Sequence, residues 1–168
     1  MHVFLIAALS ADGFIAKTTN QKSISWRSKE DAAFFIKKTR DARAVVMGRT
    51  TFEPMERPFP ERKTFVYTSR KLLGFSPEQV EATQLPPAEL LTKIKAEGYT
   101  NVAICGGSHV YTQWMQSGLI SRLYLTIESV LFGTGIRLFT EEIPVQIRLR
   151  QRHILSEQTT VMEYEVVR

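Results

Sequence analysis

Apolar, β-branched runs alternate along this chain with segments of helical period, the order expected of a largely parallel sheet covered by helices. The run HVFLIAAL (residues 2–9) predicts a buried first strand, and AKTTNQKSIS (16–25) is polar and turn-rich, as in a mobile lid. SKEDAAFFIKKTRDA (28–42) follows, with Ser28 as N-cap, acids in its first turn and bases in its last, and predicts a helix of about three to four turns. ARAVVMG (42–48) and KTFVYTS (63–69) predict central strands. Pro54, Pro58 and Pro60 between them exclude a long regular helix. PPAELLTKIKAEG (86–98) has proline at its start and glycine at its end, the asymmetry of a helix. Strand and turn at NVAICGG (101–107), a helix at SHVYTQWMQSG (108–118) and a strand at SRLYLTIESVLF (121–132) complete this part. The period-two alternation of QIRLRQRHIL (146–155) and TTVMEYEVVR (159–168) predicts an antiparallel hairpin at the sheet edge. The fold class expected is α/β: a single domain over residues 1–168, with a mostly parallel central sheet of about eight strands, flanking helices and a C-terminal antiparallel hairpin.

Composition narrows this picture. Of 168 residues, 43% are hydrophobic and 23% charged, close to the globular average, so a packed core is expected and wholesale disorder is not. The lone Cys105 forms no internal disulfide and leaves no thiolate cluster for a structural metal; carboxylate or His ligation stays open, and no metal ligand is assigned. The start lacks a basic segment, and its apolar run is shorter than the roughly 18 to 20 residues of a membrane span, so a cytoplasmic protein without membrane contact is expected. The net charge of +5 comes from scattered Lys and Arg rather than a dense basic block. That favours a phosphorylated small molecule over nucleic acid as partner.

Three strand ends carry anion-binding chemistry. Gly48 and Arg49, followed by Thr50 and Thr51, offer close backbone approach, a planar guanidinium and hydroxyl donors. Gly106, Gly107 and Ser108 stand where a strand turns into a helix, whose first amides suit an anion. Thr68, Ser69 and Arg70 end another strand. Each turn alone reads equally as an ordinary strand end, and no G-x-G-x-x-G is present. Together they favour a dinucleotide with several phosphates.

The stretches LIAALSADGFIA, SWRSKEDAAFF, VVMGRTTFE, RPFPERK, YTSR, ICGGSHVY and LYLTIE, in this order, resemble the dihydrofolate reductase family. The resemblance covers most of residues 3–128 and implies an enzyme that uses NADPH to reduce 7,8-dihydrofolate to 5,6,7,8-tetrahydrofolate. It implies that Asp31 is the active-site carboxylate, binding the 2-amino and N3 side of the pterin and favouring protonation at N5, while Trp26 orders water nearby. Spacing alone leaves a second reading of Asp31 open, since Ser28-x-x-Asp31 also fits a capping box. By the same resemblance Phe35 walls the substrate and Arg62 grips the glutamate α-carboxylate. Ile6, Ala7, Met55, Phe59, Cys105, Tyr111 and Thr126 line the rest of the substrate pocket. Ala8 and Ile15 flank the nicotinamide. Gly48, Arg49, Thr50, Thr51, Gly106, Gly107, Ser108, His109 and Val110 form the phosphate cradle. Thr68, Ser69 and Arg70, with Arg49, lie at the adenosine 2′-phosphate.

The match departs from the family in two places. Ser25 stands where a proline usually precedes the tryptophan, and FGTGIRLF replaces the family's Gly-Asp-Thr turn. That segment, like SADGFIA, resembles the reductase domain of riboflavin biosynthesis, which shares the fold and NADPH but reduces the ribose of a phosphorylated ribosylaminopyrimidine. It is the alternative expectation. A non-catalytic nucleotide-binding module is the third, and its binding would collapse steeply with salt. A monomer is preferred, with a dimer as the alternative.

Overall fold

In a computed structural model that describes residues 1–19, 21, 25–55, 57–72 and 74–167, eight strands form one sheet. In chain order the elements are β1 (His2–Ser10), β2 (Phe14–Ala16), α1 (Lys29–Ala42), β3 (Arg43–Gly48), α2 (Arg49–Phe52), β4 (Lys63–Tyr67) and β5 (Val80–Thr83). Then come α3 (Pro87–Ala96), β6 (Asn101–Ile104), α4 (Ser108–Gln116), β7 (Arg122–Glu128), β8 (Ile136–Arg137), β9 (Ile147–Ile154) and β10 (Thr159–Val166). Across the sheet the order is β5-β4-β3-β6-β1-β7-β10-β9, and β2 pairs with β8 in a separate two-stranded sheet. All neighbours from β5 to β7 are parallel, and β10 runs antiparallel to both β7 and β9. The α/β class and the antiparallel C-terminal hairpin are therefore as the sequence pattern predicts. Among the described residues no helix is long and apolar enough to cross a membrane. The predicted lid at residues 16–25 includes residues 20 and 22–24, which lie outside the described residues.

The central strands read as unbroken apolar runs because both faces of the sheet are covered. On β1, Val3, Leu5 and Ala7 pack with Leu90 and Ile94 of α3 and Trp114 of α4. Phe4 and Ile6 point the other way, into a cluster with Met47, Phe52 and the α1 residues Phe34 and Phe35. At its end α1 turns directly into β3 through Arg43 in the left-handed conformation (φ 63°), leaving no loop between helix and strand.

Where paired strands part, the sheet opens. β1 stays in register with β6 from His2↔Asn101 to Leu5↔Ile104, while its pairing with β7 continues to Ser10↔Glu128. β6 keeps to β3 instead, since Cys105 N–H donates to Val46 O (2.8 Å) and Gly48 N–H to Gly106 O (2.7 Å). Beyond Leu5 the chain of β6 thus leaves β1, and a crevice forms at the carboxyl ends of the strands, the usual ligand position in open α/β sheets.

Candidate active site

That crevice is a cavity of about 750 Å³. Ile6, Ala7 and Ala8 of β1 line it with Ile15 of β2, Asp31 and Phe35 of α1, and Met55, Phe59 and Cys105. Gly48, Thr50 and Thr51 line it beside the run from Gly106 through Gly107, Ser108, His109 and Val110 to Tyr111. The structure thus gathers most of the residues singled out from the sequence around one space. Trp26, Arg49, Arg62, Thr68, Ser69, Arg70 and Thr126 are not on its lining. Arg27, Ile36 and Ile136 line it and were not anticipated. Arg27 stands one residue before the cap Ser28, outside α1, so helical spacing offered no signal for it.

Asp31 lies in the first turn of α1 and is 3% exposed. Ser28 caps the helix, its Oγ accepting from Asp31 N–H (3.1 Å). A full capping box would return the Asp31 carboxylate to the Ser28 amide. Instead, Glu128 Oε1 at the end of β7 accepts from both Ser28 N–H and Ser28 Oγ (2.8 Å each), and its Oε2 accepts from Thr159 Oγ1 (2.8 Å). Glu128 thus takes the capping duty that the sequence left open for Asp31. The Asp31 carboxyl is raised above the ordinary carboxylate range, chiefly by burial, with Glu128 adding to the rise and Arg27 and the Thr126 hydroxyl opposing it. Arg27 Nε stands 3.3 Å from Asp31 Oδ2, an ion-pair contact whose geometry falls short of a hydrogen bond, and neither atom has a hydrogen-bond partner. Trp26 Nε1 is buried without a partner as well.

Two neighbouring polar groups, Tyr111 and Cys105, are spent or inert. Tyr111 donates its hydroxyl to Ile6 O (2.7 Å), bridging α4 to β1 where β6 has departed, and its burial pushes its pKa well up. Burial also pushes the Cys105 thiol up, so Cys105 is a packing residue rather than a nucleophile.

At the other end the backbone is bare. A Cβ on Gly48 would stand 3.3 Å from Val110 Cγ2, and one on Gly107 3.3 Å from Thr51 Oγ1. Gly106 has φ +107°, and the Gly106–Gly107 peptide is cis. No side chain caps α4, so its first-turn amides are left for other acceptors, and Ser108 Oγ is committed to Arg137 O (2.6 Å). Further out, Arg49 pairs with Glu53 (2.7 Å), Thr68 Oγ1 accepts from Arg70 N–H (3.0 Å), and Ser69 and Arg70 are exposed.

Arg62 lines a second groove, of about 830 Å³, with Arg40, Arg43 and Arg57, and Phe59 borders both spaces. It is 6% exposed, donating Nε to Pro60 O (3.0 Å) and Nη1 to Thr39 Oγ1 (2.6 Å), with its guanidinium 4.6 Å from the Phe59 ring centroid. The segments after β1 and after β7 meet one another. Asp12 accepts from the amides of Phe132 (3.1 Å) and Gly133 (2.6 Å), and the Trp26 ring meets Phe132 edge-on at 5.1 Å.

A family model described as dihydrofolate reductase matches residues 2–139. The chain belongs to the dihydrofolate reductase family. A dihydrofolate reductase of Buchnera aphidicola is 28% identical over 162 residues, covering 95% of this chain and 91% of the relative. Among solved structures, dihydrofolate reductase from Enterococcus faecalis, complexed with NADP(H) and RAB-propyl, is 27% identical with a TM-score of 0.73, covering 98% of this chain and 96% of that one. A protein of Shewanella sp. PV-4 with a suggested role in riboflavin biosynthesis is 20% identical but superposes at a TM-score of 0.84 over the whole of both chains, a likeness of fold. The dihydrofolate reductase family is one of oxidoreductases.

Proposed function

We propose that the protein reduces 7,8-dihydrofolate to 5,6,7,8-tetrahydrofolate with NADPH, using Asp31 as its catalytic carboxyl group. One observation carries this reading. Asp31 is the only acidic residue among the described residues that line the cavity, it is buried, and Glu128 relieves it of the helix cap. An acid placed so is available to a ring that offers paired N–H donors, here the 2-amino and N3–H edge of the pterin. Phe35 walls that ring, Met55 and Phe59 take the benzoyl part, and Ile6, Ala7, Cys105, Tyr111 and Thr126 complete the pocket. Arg62, whose Nη2 is used in neither of its two hydrogen bonds, receives the α-carboxylate through a guanidinium already fixed by Thr39 and Pro60.

The residues present fit a dinucleotide, because the bare backbone of Gly48, Gly106 and Gly107 lines the cavity beside the first turn of α4, which no side chain caps. Ala8 and Ile15 flank the nicotinamide. Gly48, Arg49, Thr50, Thr51 and the run from Gly106 to Val110 hold the pyrophosphate, and Thr68, Ser69, Arg70 and Arg49 meet the 2′-phosphate. When bound, NADPH supplies the hydride that C6 accepts. Asp31 anchors the ring edge and raises the basicity of N5, so that N5 gains a proton as the N5=C6 double bond becomes single. Trp26 orders the water that delivers this proton.

The test is loss of reduced-nicotinamide absorbance on adding dihydrofolate. Asp31→Asn is expected to lower kcat about 100-fold or more, most severely above neutral pH, with NADPH affinity nearly intact. Normal turnover by that variant would sink the assignment. A second reading, reduction of the ribose in a phosphorylated ribosylaminopyrimidine, is favoured by the FGTG turn at residues 132–135. Turnover of that compound and not of dihydrofolate would replace the first reading with the second.

A further inference from the structure

Arg27 has no part in the chemistry proposed above, yet it sits against its centre. Its Nε is 3.3 Å from Asp31 Oδ2, its guanidinium carbon is 5.3 Å from the Phe35 ring centroid, and its side chain is 14% exposed beside 4% for Asp31. Both residues line the cavity, and Arg27 Nε and Asp31 Oδ2 are buried without hydrogen-bond partners. A lone buried carboxylate favours a ligand that arrives as a cation or takes up a proton on binding. A guanidinium at contact distance removes that preference by repelling the added charge. It also places an N–H donor next to the carboxylate acceptor.

We propose that Arg27 is a specificity-determining residue: with Asp31 it makes a neutral acceptor–donor pair that selects a neutral 2-amino-4-oxopyrimidine edge and disfavours the cationic 2,4-diamino edge. The 2-amino and N3–H groups of the neutral ring meet the carboxylate while its 4-oxo group accepts from Arg27. A 4-amino group at that place sets donor against donor, and sites built around such a bond discriminate strongly against the mismatched analogue. The inference rests on reading the cavity as a site for such a ring, an edge that pterins and ribosylaminopyrimidines share.

The other charged or titratable groups around Asp31 are Glu128 on β7 and Tyr111 on α4, and Cys105 beyond β6 neighbours Arg27. Of these, only Arg27 brings a positive charge to Asp31. Arg27→Gln removes that charge and keeps a comparable side-chain length, and Arg27→Lys keeps the charge. Dissociation constants for a 2,4-diaminopyrimidine and a 2-amino-4-oxopteridine are to be measured by calorimetry on the full chain from acidic to alkaline pH. Alongside them, the Asp31 carboxyl carbon is titrated by NMR without ligand. In Arg27→Gln the affinity ratio is expected to move on the order of tenfold towards the diamino ring. The Asp31 midpoint is expected to rise, and Arg27→Lys to stay near the native protein in both. An unchanged ratio in Arg27→Gln overturns the proposal. A native protein that binds neither ring contradicts the reading of the cavity instead, and the titration then judges the pair: a midpoint that rises in Arg27→Gln upholds it, and one that does not overturns it.

Discussion

Asp31 is a residue whose charge the fold does not need. Ser28 caps α1, Glu128 secures Ser28, and the Asp31 carboxyl is left buried with a pKa raised by desolvation above its ordinary 3.8. A carboxyl group whose folded pKa is raised gives stability that is fully present below the unfolded pKa and lost as pH rises through the folded value. Ionising the buried side chain therefore costs the folded state stability. Asp31→Asn is expected to melt at a higher temperature than the native protein at pH 7, with the advantage vanishing below about pH 3.8, where both side chains are neutral. Calorimetric melting at both pH values checks this, and a lower melting temperature for the variant at pH 7 would show that the carboxylate supports the fold. Sequence spacing held both the capping and the pocket readings of Asp31 open, because the decision lies with Glu128, 100 residues from Ser28. Arg27 was missed for a related reason: it stands before the cap Ser28, outside the helical pattern, and its burial against Phe35 depends on the packing of α1.

At the scale of elements, legibility follows burial. β1, β3 and β6 are covered on both faces and so announce themselves as apolar runs. β5 was not anticipated: only Val80 and Thr83 of its four residues are buried, and Glu81 reaches out to Lys63 and Lys93. β2 and β8 have three and two residues, too few for a period to show. Their pairing nevertheless bears on the site, because Ile15 and Ile136 both line the cavity. Gly135 makes that pairing possible, since a Cβ there would stand 2.4 Å from the carbonyl oxygen of Ala16. The neighbour is backbone and has no rotamer into which to escape. Gly135→Ala is therefore expected to push β2 away from β8, destabilising the protein by about 1–3 kcal/mol. Under the proposed function it also weakens NADPH binding through Ile15. Denaturant unfolding and cofactor titration measure the two effects, and an alanine variant unchanged in both would mean that β2 and β8 do not hold this spacing in solution.

At the scale of the whole molecule, one buried acid adds a side-chain tie to the β7–β10 ladder that joins the antiparallel edge to the parallel body. Glu163 of β10 is 5% exposed and takes hydrogen bonds from Arg122 of β7 and, at 2.9 Å, from His153 of β9, so one carboxylate ties three strands together. Lys38 of α1 lies 4.1 Å from the ring centroid of Tyr124, which also belongs to this cluster, and so the first helix joins it. Burial acts to raise the Glu163 pKa, but the bonds from His153 and Arg122 outweigh it and hold the group below its ordinary 4.5. The sign is opposite to that of Asp31: the stability Glu163 supplies is present above about pH 4.5 and is lost as pH falls through its lower folded value. Acidification below pH 4.5 is therefore expected to loosen β9 and β10 before the buried strands β1, β3 and β6. Hydrogen exchange measured by mass spectrometry should show protection falling first in residues 147–154 and 159–166. In Glu163→Gln, which cannot take up the proton, those segments are expected to exchange faster at pH 7 and to lose less of their remaining protection on acidification. If the native hairpin instead keeps its protection until the whole sheet opens, the edge is held by strand pairing and apolar packing, and Glu163 contributes nothing separable to it.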